Sequence, residues 1–566
     1  MRDLFCAYKV SNAKVPSYFI ASTAPDNVDD KPAPPPSLPP QLAAIPADQA
    51  IKEIADHLTT APVPNLVVMV HGFNSPQTQV LKAYAEASTA IENDEAIRAR
   101  PGLVCVGYRW PSESLGQPAY GTLAALPSLP TWILWSGLIL FAIYPFLDLL
   151  FGFHAWQIAL IGHLPIVLGW TLFGLVVALG LLRAAVYFRD TFRADNYGAP
   201  DLIDIIRQID QAIISNDRQR EGNQEEAAKE FRDAHRVELS FIGHSMGGFV
   251  VTNAIRALSD AFAKGAVRPR LNAGVVDEAG HVRPGPRKIG NVFRLMRFVL
   301  ASPDIPAEAL LSGRANFLLS SLHRFDEAFL FSNEGDEVLR LISTTANYFS
   351  FPTKSWTYGY RLGNVEILSE RYGVITPTPG RSLAQLRIGY YTLQQLYDRL
   401  RKASETSPQT SQTSQPVTVQ HAFAEVFSYF DCTDYVDETQ AGAPPTGLLT
   451  FALRTKQRDG QARMSWWDHF QLLWSYIVRH KPDVHGGYFE GKLCSQLIFR
   501  LACLGFAGTN SAYGKDTLSK ICEAKQIRVL LSPRLEEAPT TGQGAETGAA
   551  HDVKRAPNDP VPNSPS

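Results

Sequence analysis

Lysine and arginine are missing altogether between Trp110 and Leu182. A stretch that long with no cationic side chain excludes an ordinary charged, solvated surface and turns attention to its apolar content. The 566-residue chain also lacks excess charge. Its 53 basic and 55 acidic residues leave a net of -2, without the basic face that nucleic-acid binding ordinarily needs. Cysteine is scarce: six residues and no Cys-x-x-Cys pair indicate neither a zinc site nor a dense disulfide framework, and suit a reducing compartment. Met1-Arg2-Asp3-Leu4-Phe5-Cys6 lacks the apolar centre of a signal peptide. There is no internal repeat, and the length suits one enlarged domain with insertions better than two catalytic units.

What is present starts with Leu239-Ser240-Phe241-Ile242-Gly243-His244-Ser245-Met246-Gly247-Gly248-Phe249-Val250-Val251, an apolar run that breaks at Gly-His-Ser-Met-Gly and resumes with helix formers. The pattern describes a nucleophile elbow: a serine on a strained strand-to-helix turn, with small residues two positions to either side. The following helix would turn its first N–H groups toward a developing oxyanion. The plainer alternative is a Gly-rich turn with an inert serine.

Upstream, Asn65-Leu66-Val67-Val68-Met69-Val70 reads as a buried parallel strand and ends in His71-Gly72-Phe73-Asn74-Ser75-Pro76. A third segment, Val104-Cys105-Val106-Gly107-Tyr108-Arg109-Trp110-Pro111-Ser112, reads as a strand followed by Trp-Pro-Ser. Together these resemble the alpha/beta-hydrolase superfamily, in particular bacterial lipase-like and esterase-like serine hydrolases with an HGFN loop and a GHSMGG elbow. The similarity covers the strands and their turns in pieces from about Asn65 to Gly505, not the insertions or the two ends. It implies oxyanion donors from Met246 and from the loop after the third strand, where Phe73 is preferred and Asn74 is next. On the same resemblance His71 braces its loop.

The resemblance also implies the chain order Ser, then Asp or Glu, then His. Two strands beyond Ser245 end in acids. Phe298 to Ala301 leads to Ser302-Pro303-Asp304, and Ala328 to Phe331 leads to Ser332-Asn333-Glu334-Gly335-Asp336. Asp336 is preferred as the triad acid, with Asp304 the alternative and Glu334 a further one; either aspartate could instead cap a helix. Among thirteen histidines, His485 in Asp483-Val484-His485-Gly486-Gly487-Tyr488-Phe489 is the expected base, since it precedes the apolar run Cys494 to Leu504. His469 and His480 are fallbacks, His421 falls on the wrong edge, and His244 is expected to pack. No cofactor and no metal is called for.

Two apolar segments, about Leu129 to Phe153 and Trp156 to Leu182, are each long enough for the roughly 20 residues a membrane-crossing helix needs. With Trp132, Trp135, Trp156, Trp170, Tyr144 and Tyr187 at interfacial positions and Arg183, Arg189 and Arg193 after them, they predict a hairpin with both flanks in the cytoplasm. Asp148, Pro145 and Pro165 are imperfections in it. An amphipathic lid over the active site is the competing view, and it would need regular charges that are absent here.

The fold expected is therefore α/β: an alpha/beta-hydrolase fold, mostly parallel sheet with helices on both faces, plus an inserted transmembrane helical hairpin. Residues 1–128 would form the first part of the core with a Pro-rich linker at 31–46, 129–182 the hairpin, 183–535 the rest of the core, and 536–566 a disordered tail. Ser404 to Pro416 also reads as solvated linker, and the basic, Gly-rich Phe262 to Ile289 as a surface loop with a lesser claim on anionic lipid.

The expected function is a membrane-anchored, multi-pass serine hydrolase with a cytoplasmic catalytic domain. It would act on a small-molecule or lipid acyl substrate and have the lipid bilayer as its partner. A catalytically inactive membrane scaffold is the alternative. The sequence leaves the oligomeric state open.

Overall fold

A computed structural model describes residues 4–25, 37–73, 75–112, 186–220, 235–258, 288–306, 324–343, 361–364, 427–433, 483–514 and 518–532, with isolated residues between some of these. Among the described residues eleven strands form one mixed sheet: β1 Phe5–Val10, β2 Ser17–Ser22, β3 Leu42–Ile45, β4 Asn65–Val70, β5 Leu103–Arg109, β6 Val237–His244, β7 Lys288–Ile289, β8 Phe293–Ala301, β9 Glu327–Ser332, β10 Ser428–Asp431 and β11 Arg528–Leu530. The order is β11-β10-β9-β8-β6-β4-β5-β2-β1-β3, with β7 on β8. From β2 to β10 each neighbouring pair is parallel; β1, β3, β7 and β11 join antiparallel.

The continuous apolar run of β4 follows from burial on both faces. Leu66, Val68 and Val70 point into one layer with Ile51, Ile54 and Leu58 of α1 Ala47–Thr60, Leu202, Ile205 and Ile209 of α4 Ala199–Arg220, and Val250 and Val251 of α5 Met246–Leu258. Val67 and Met69 point into the opposite layer, with Val80, Leu81 and Tyr84 of α2 Gln77–Asn93, Ile97 of α3 Glu95–Arg98, Leu497, Ile498 and Leu501 of α6 Lys492–Ala512, and Leu518 of α7 Leu518–Ala524. Each fully buried aliphatic side chain contributes roughly 1.5–3 kcal/mol, so the two layers supply the main driving force.

Helix α6 is interrupted at Gly505, whose φ of 74° breaks the helical backbone. A Cβ there would lie 2.6 Å from both Arg297 Nε and Glu327 Oε2, while the next amide, of Phe506, donates to Glu327 Oε2 at 3.1 Å. The kink thus lets the helix step over a partly buried ion pair. Gly505→Ala is expected to cost at least about 2 kcal/mol, because left-handed strain adds to displacement of that pair. Gly514→Ala, also at positive φ but with nothing within 4 Å, should cost only about 1 kcal/mol. Thermal unfolding of the two variants checks the ranking, and equal losses would contradict it.

The expected transmembrane hairpin is corrected. Among the described residues no helix is long and apolar enough to cross a membrane, and residues 129–182 lie outside those described. The longest described helix, α4, carries Asp201, Asp204, Arg207 and Asp210, and α6 spends its apolar face on the sheet. No membrane span is assigned, and the multi-pass membrane localisation with a cytoplasmic catalytic domain falls with it. Hydropathy registers only avoidance of water, which a protein interior satisfies as well as a bilayer does.

Other boundaries move. Leu42–Ile45, inside the expected Pro-rich linker, is an edge strand on β1. The last parallel strand is Ser428–Asp431, and the acidic turn at Asp336 leads into a π-helical turn over Val338–Ser343. The segments 404–416 and 536–566 and most of 262–289 lie outside the described residues.

Candidate active site

Strand β6 delivers Ser245 to the C-terminal edge of the sheet, where its backbone takes a left-handed φ of 51°. A non-glycine residue in that conformation is strained, and the surroundings must hold it there. They do so through the Ser245 amide, which donates to the Ala301 carbonyl of β8 at 3.0 Å, and through the Ser245 carbonyl, which accepts from the Asp304 and Gly248 amides. The flanking glycines are needed for close approach: a Cβ on Gly243 would lie 2.6 Å from Gly248 Cα, and one on Gly247 2.5 Å from the His71 carbonyl oxygen.

His485 reaches this serine from a loop 240 residues further along the chain. Its Nε2 lies 2.8 Å from Ser245 Oγ and its Nδ1 lies 2.7 Å from Asp336 Oδ2. An ionised carboxylate only accepts hydrogen bonds, so Nδ1 carries the proton and Nε2 offers its lone pair to the serine hydroxyl. Asp336 is fully buried and also accepts from the Leu339 amide at 3.1 Å and from the Ser302 hydroxyl. The His485 loop is pinned by Asp483, whose Oδ1 accepts the His485 and Gly486 amides at 3.1 and 2.8 Å. A second pin is His244, whose Nε2 donates to the His485 carbonyl at 3.0 Å.

The electrostatics separate three histidines. Burial pulls the His485 pKa down, but the charge and hydrogen bond of Asp336, with Asp483 and Asp304 behind them, outweigh it and raise the value above the usual 6.5. Burial pushes His244 down to about 4, helped by the neighbouring His485, and pushes His71 down to about 3. Of the three, only His485 is poised to exchange a proton near neutrality.

The loop after β4 borders Ser245. A Cβ on Gly72 would lie 2.7 Å from Ser245 Cβ and 3.2 Å from its Oγ. Phe73 follows, its ring 6.0 Å from that of His485 and 5.9 Å from that of Tyr187. Met246 opens α5, where N–H groups have no acceptor within the helix. Asn74 lies outside the described residues. His71 stacks on Trp110 at 5.3 Å, Trp110 Nε1 donates to the His71 carbonyl at 2.9 Å, and His71 Nε2 lies 3.2 Å from the Trp110 carbonyl oxygen. The Trp-Pro-Ser segment thus braces the loop, and Ser112 Oγ extends the brace by accepting the Ser75 amide and donating to Asp190.

Asp304 is held elsewhere. Its carboxylate faces Arg361 Nε at 3.2 Å and accepts from Ser343 Oγ at 3.0 Å, while the Arg361 guanidinium donates to the Ser343 carbonyl and the Tyr187 hydroxyl. Glu334 is buried beside Thr433, whose Oγ1 accepts its amide. His421, His469 and His480 lie outside the described residues.

Sequence reasoning missed Ser302, Asp483 and Arg361 as contributors. Ser302 and Asp483 each sit two residues from a residue that was singled out, and no spacing rule marks Arg361. Ser245 has no exposed surface, whereas 12 % of the His485 side chain is exposed. No groups that could hold a metal ion occur among the described residues.

Comparison with protein-family models, with curated proteins and with solved structures gives no match. The chemistry of the site is therefore read from its geometry.

Proposed function

We propose that the protein is a serine hydrolase that cleaves ester, thioester or lipid acyl bonds, similar in mechanism and sheet plan to the alpha/beta-hydrolase superfamily. One observation carries this reading: Ser245 Oγ, both nitrogens of His485 and Asp336 Oδ2 form a continuous chain of hydrogen bonds at 2.8 and 2.7 Å. His485 Nε2 takes the hydroxyl proton as Ser245 Oγ attacks the acyl carbon, and Asp336 stabilises the imidazolium that forms. The amides of Phe73 and Met246 receive the negative charge of the tetrahedral oxygen. The imidazolium returns its proton to the leaving group, and water, activated by the same nitrogen, then releases the acid.

The full enclosure of Ser245 favours a second reading, a hydrolase-like module without turnover. Labelling with a small alkyl fluorophosphonate separates the two. The expected result is one covalent adduct on Ser245 and none on Ser245→Ala; a folded wild type that stays unlabelled eliminates the enzyme.

The same labelling followed against pH should fall on the acidic side as His485 gains a proton. Because its pKa is raised, the midpoint should lie above 6.5. A midpoint below 6 would contradict Asp336 as the partner of His485.

A further inference from the structure

Two serines in this protein share an unusual placement. Ser245 follows β6 and Ser302 follows β8, the next strand of the sheet, and both have left-handed backbones, with φ of 51° and 43°. The amide of each donates at 3.0 Å to the neighbouring strand: Ser245 to Ala301, and Ser302 to Phe331. The elbow geometry is therefore repeated one strand over. Its hydroxyl does not face a substrate; it donates to Asp336 Oδ2, the oxygen that also receives His485 Nδ1–H, and it lies 3.5 Å from Nδ1 itself.

We propose that Ser302 is a positioning residue, which aims the Asp336 carboxylate so that His485 stays in register with Ser245; this rests on the hydrolase reading above. Three considerations support it. A fully buried carboxylate needs donors to replace lost water, and Asp336 has three from three separate elements: Ser302 after β8, the Leu339 amide of the π-helical turn, and His485 of the late loop. Asp336 and His485 both stand on loops, so without a contact from the end of a central strand their register would depend on those loops alone. Strain at a non-glycine residue persists where the local structure has a use for it, and the left-handed turn is what brings this hydroxyl to the carboxylate.

The charge balance makes the idea measurable. His485 feels the charge of Asp336 after β9, of Asp483 in its own loop and, at longer range, of Asp304 after β8, and it lies against His244 at the end of β6. The Ser302 donor draws charge from Oδ2. Its loss leaves more negative charge to stabilise the imidazolium, and the acidic limb of the reaction should move to higher pH.

The experiment compares Ser302→Ala and Ser302→Gly by fluorophosphonate labelling rate across pH, together with titration of the His485 imidazole by NMR. Ala removes the hydroxyl and keeps the strain; Gly removes both. The expected result is a loss of about 10- to 100-fold in rate for Ala and Gly alike, and an upward shift of roughly half a pH unit in the limb and in the His485 titration. A Gly variant with wild-type rate and limb overturns the proposal, and so does a rate loss in Ala and Gly with no movement of either titration, which would mark a merely structural role. If wild type labels and the variants match it, this inference alone fails. If folded wild type does not label, the hydrolase reading fails and takes the inference with it.

Discussion

Asp336→Asn should slow acylation of Ser245 by about 10⁴-fold while the protein stays folded, a magnitude known from the serine-protease triad. The reasoning is tautomeric. Asp336 accepts from Nδ1, which leaves Nε2 unprotonated and 2.8 Å from the serine hydroxyl. An asparagine of the same shape can turn its amide N–H toward Nδ1, which places the imidazole proton on Nε2, where it can no longer accept from Ser245. The volume is unchanged, the Leu339 amide still finds an amide oxygen, and the Ser302 hydroxyl can reverse to accept from the new N–H, so stability should move far less than rate. Pre-steady-state labelling with the fluorophosphonate reads the rate, and thermal unfolding reads the fold. A variant within tenfold of wild type would remove Asp336 from the mechanism.

Asp304→Ala should show the opposite pattern: a stability loss of about 3–5 kcal/mol, with the labelling rate of the folded fraction near that of wild type. Asp304 and Arg361 form a buried ion pair whose side chains are 0 % and 6 % exposed, so removing the carboxylate strands a guanidinium in the interior. The Ser343 carbonyl and the Tyr187 hydroxyl remain as acceptors but carry no full charge. Removing both charges, as in Asp304→Leu with Arg361→Met, should recover much of the loss, which a double-mutant cycle measures. Loss of labelling in a folded Asp304→Ala protein would exchange the roles assigned to the two acids.

These two aspartates also show how far the sequence could be read. Both follow apolar strands at the same edge, and the resemblance favoured the one after the second strand, but only the fold shows that Arg361 and Ser343 hold Asp304 away from the imidazole. Ser245 and His485 were legible because each sits in a short motif with a strong local cause, a glycine-flanked break before a helix and a glycine-rich loop before an apolar run. Ser302 carries no sequence signal, since nothing local marks a hydroxyl whose partner is 34 residues away. The strand β4 was plain from its unbroken apolar run, whereas β3, four residues behind a proline-rich stretch, and β11, three residues, are too short for a periodic signal and exist through pairing with β1 and β10. The membrane assignment went wrong for a physical reason: apolar length was taken to name its solvent.

The distance along the chain between Ser245 and His485 has a consequence for biosynthesis. Ser245 and Asp336 stand just beyond the ends of central strands, but the imidazole arrives with the leader of α6, 240 residues after the serine. A nascent polypeptide can therefore assemble most of its central strands while the hydroxyl remains an ordinary alcohol. On the proposed mechanism, activation of that alcohol waits until the late loop docks.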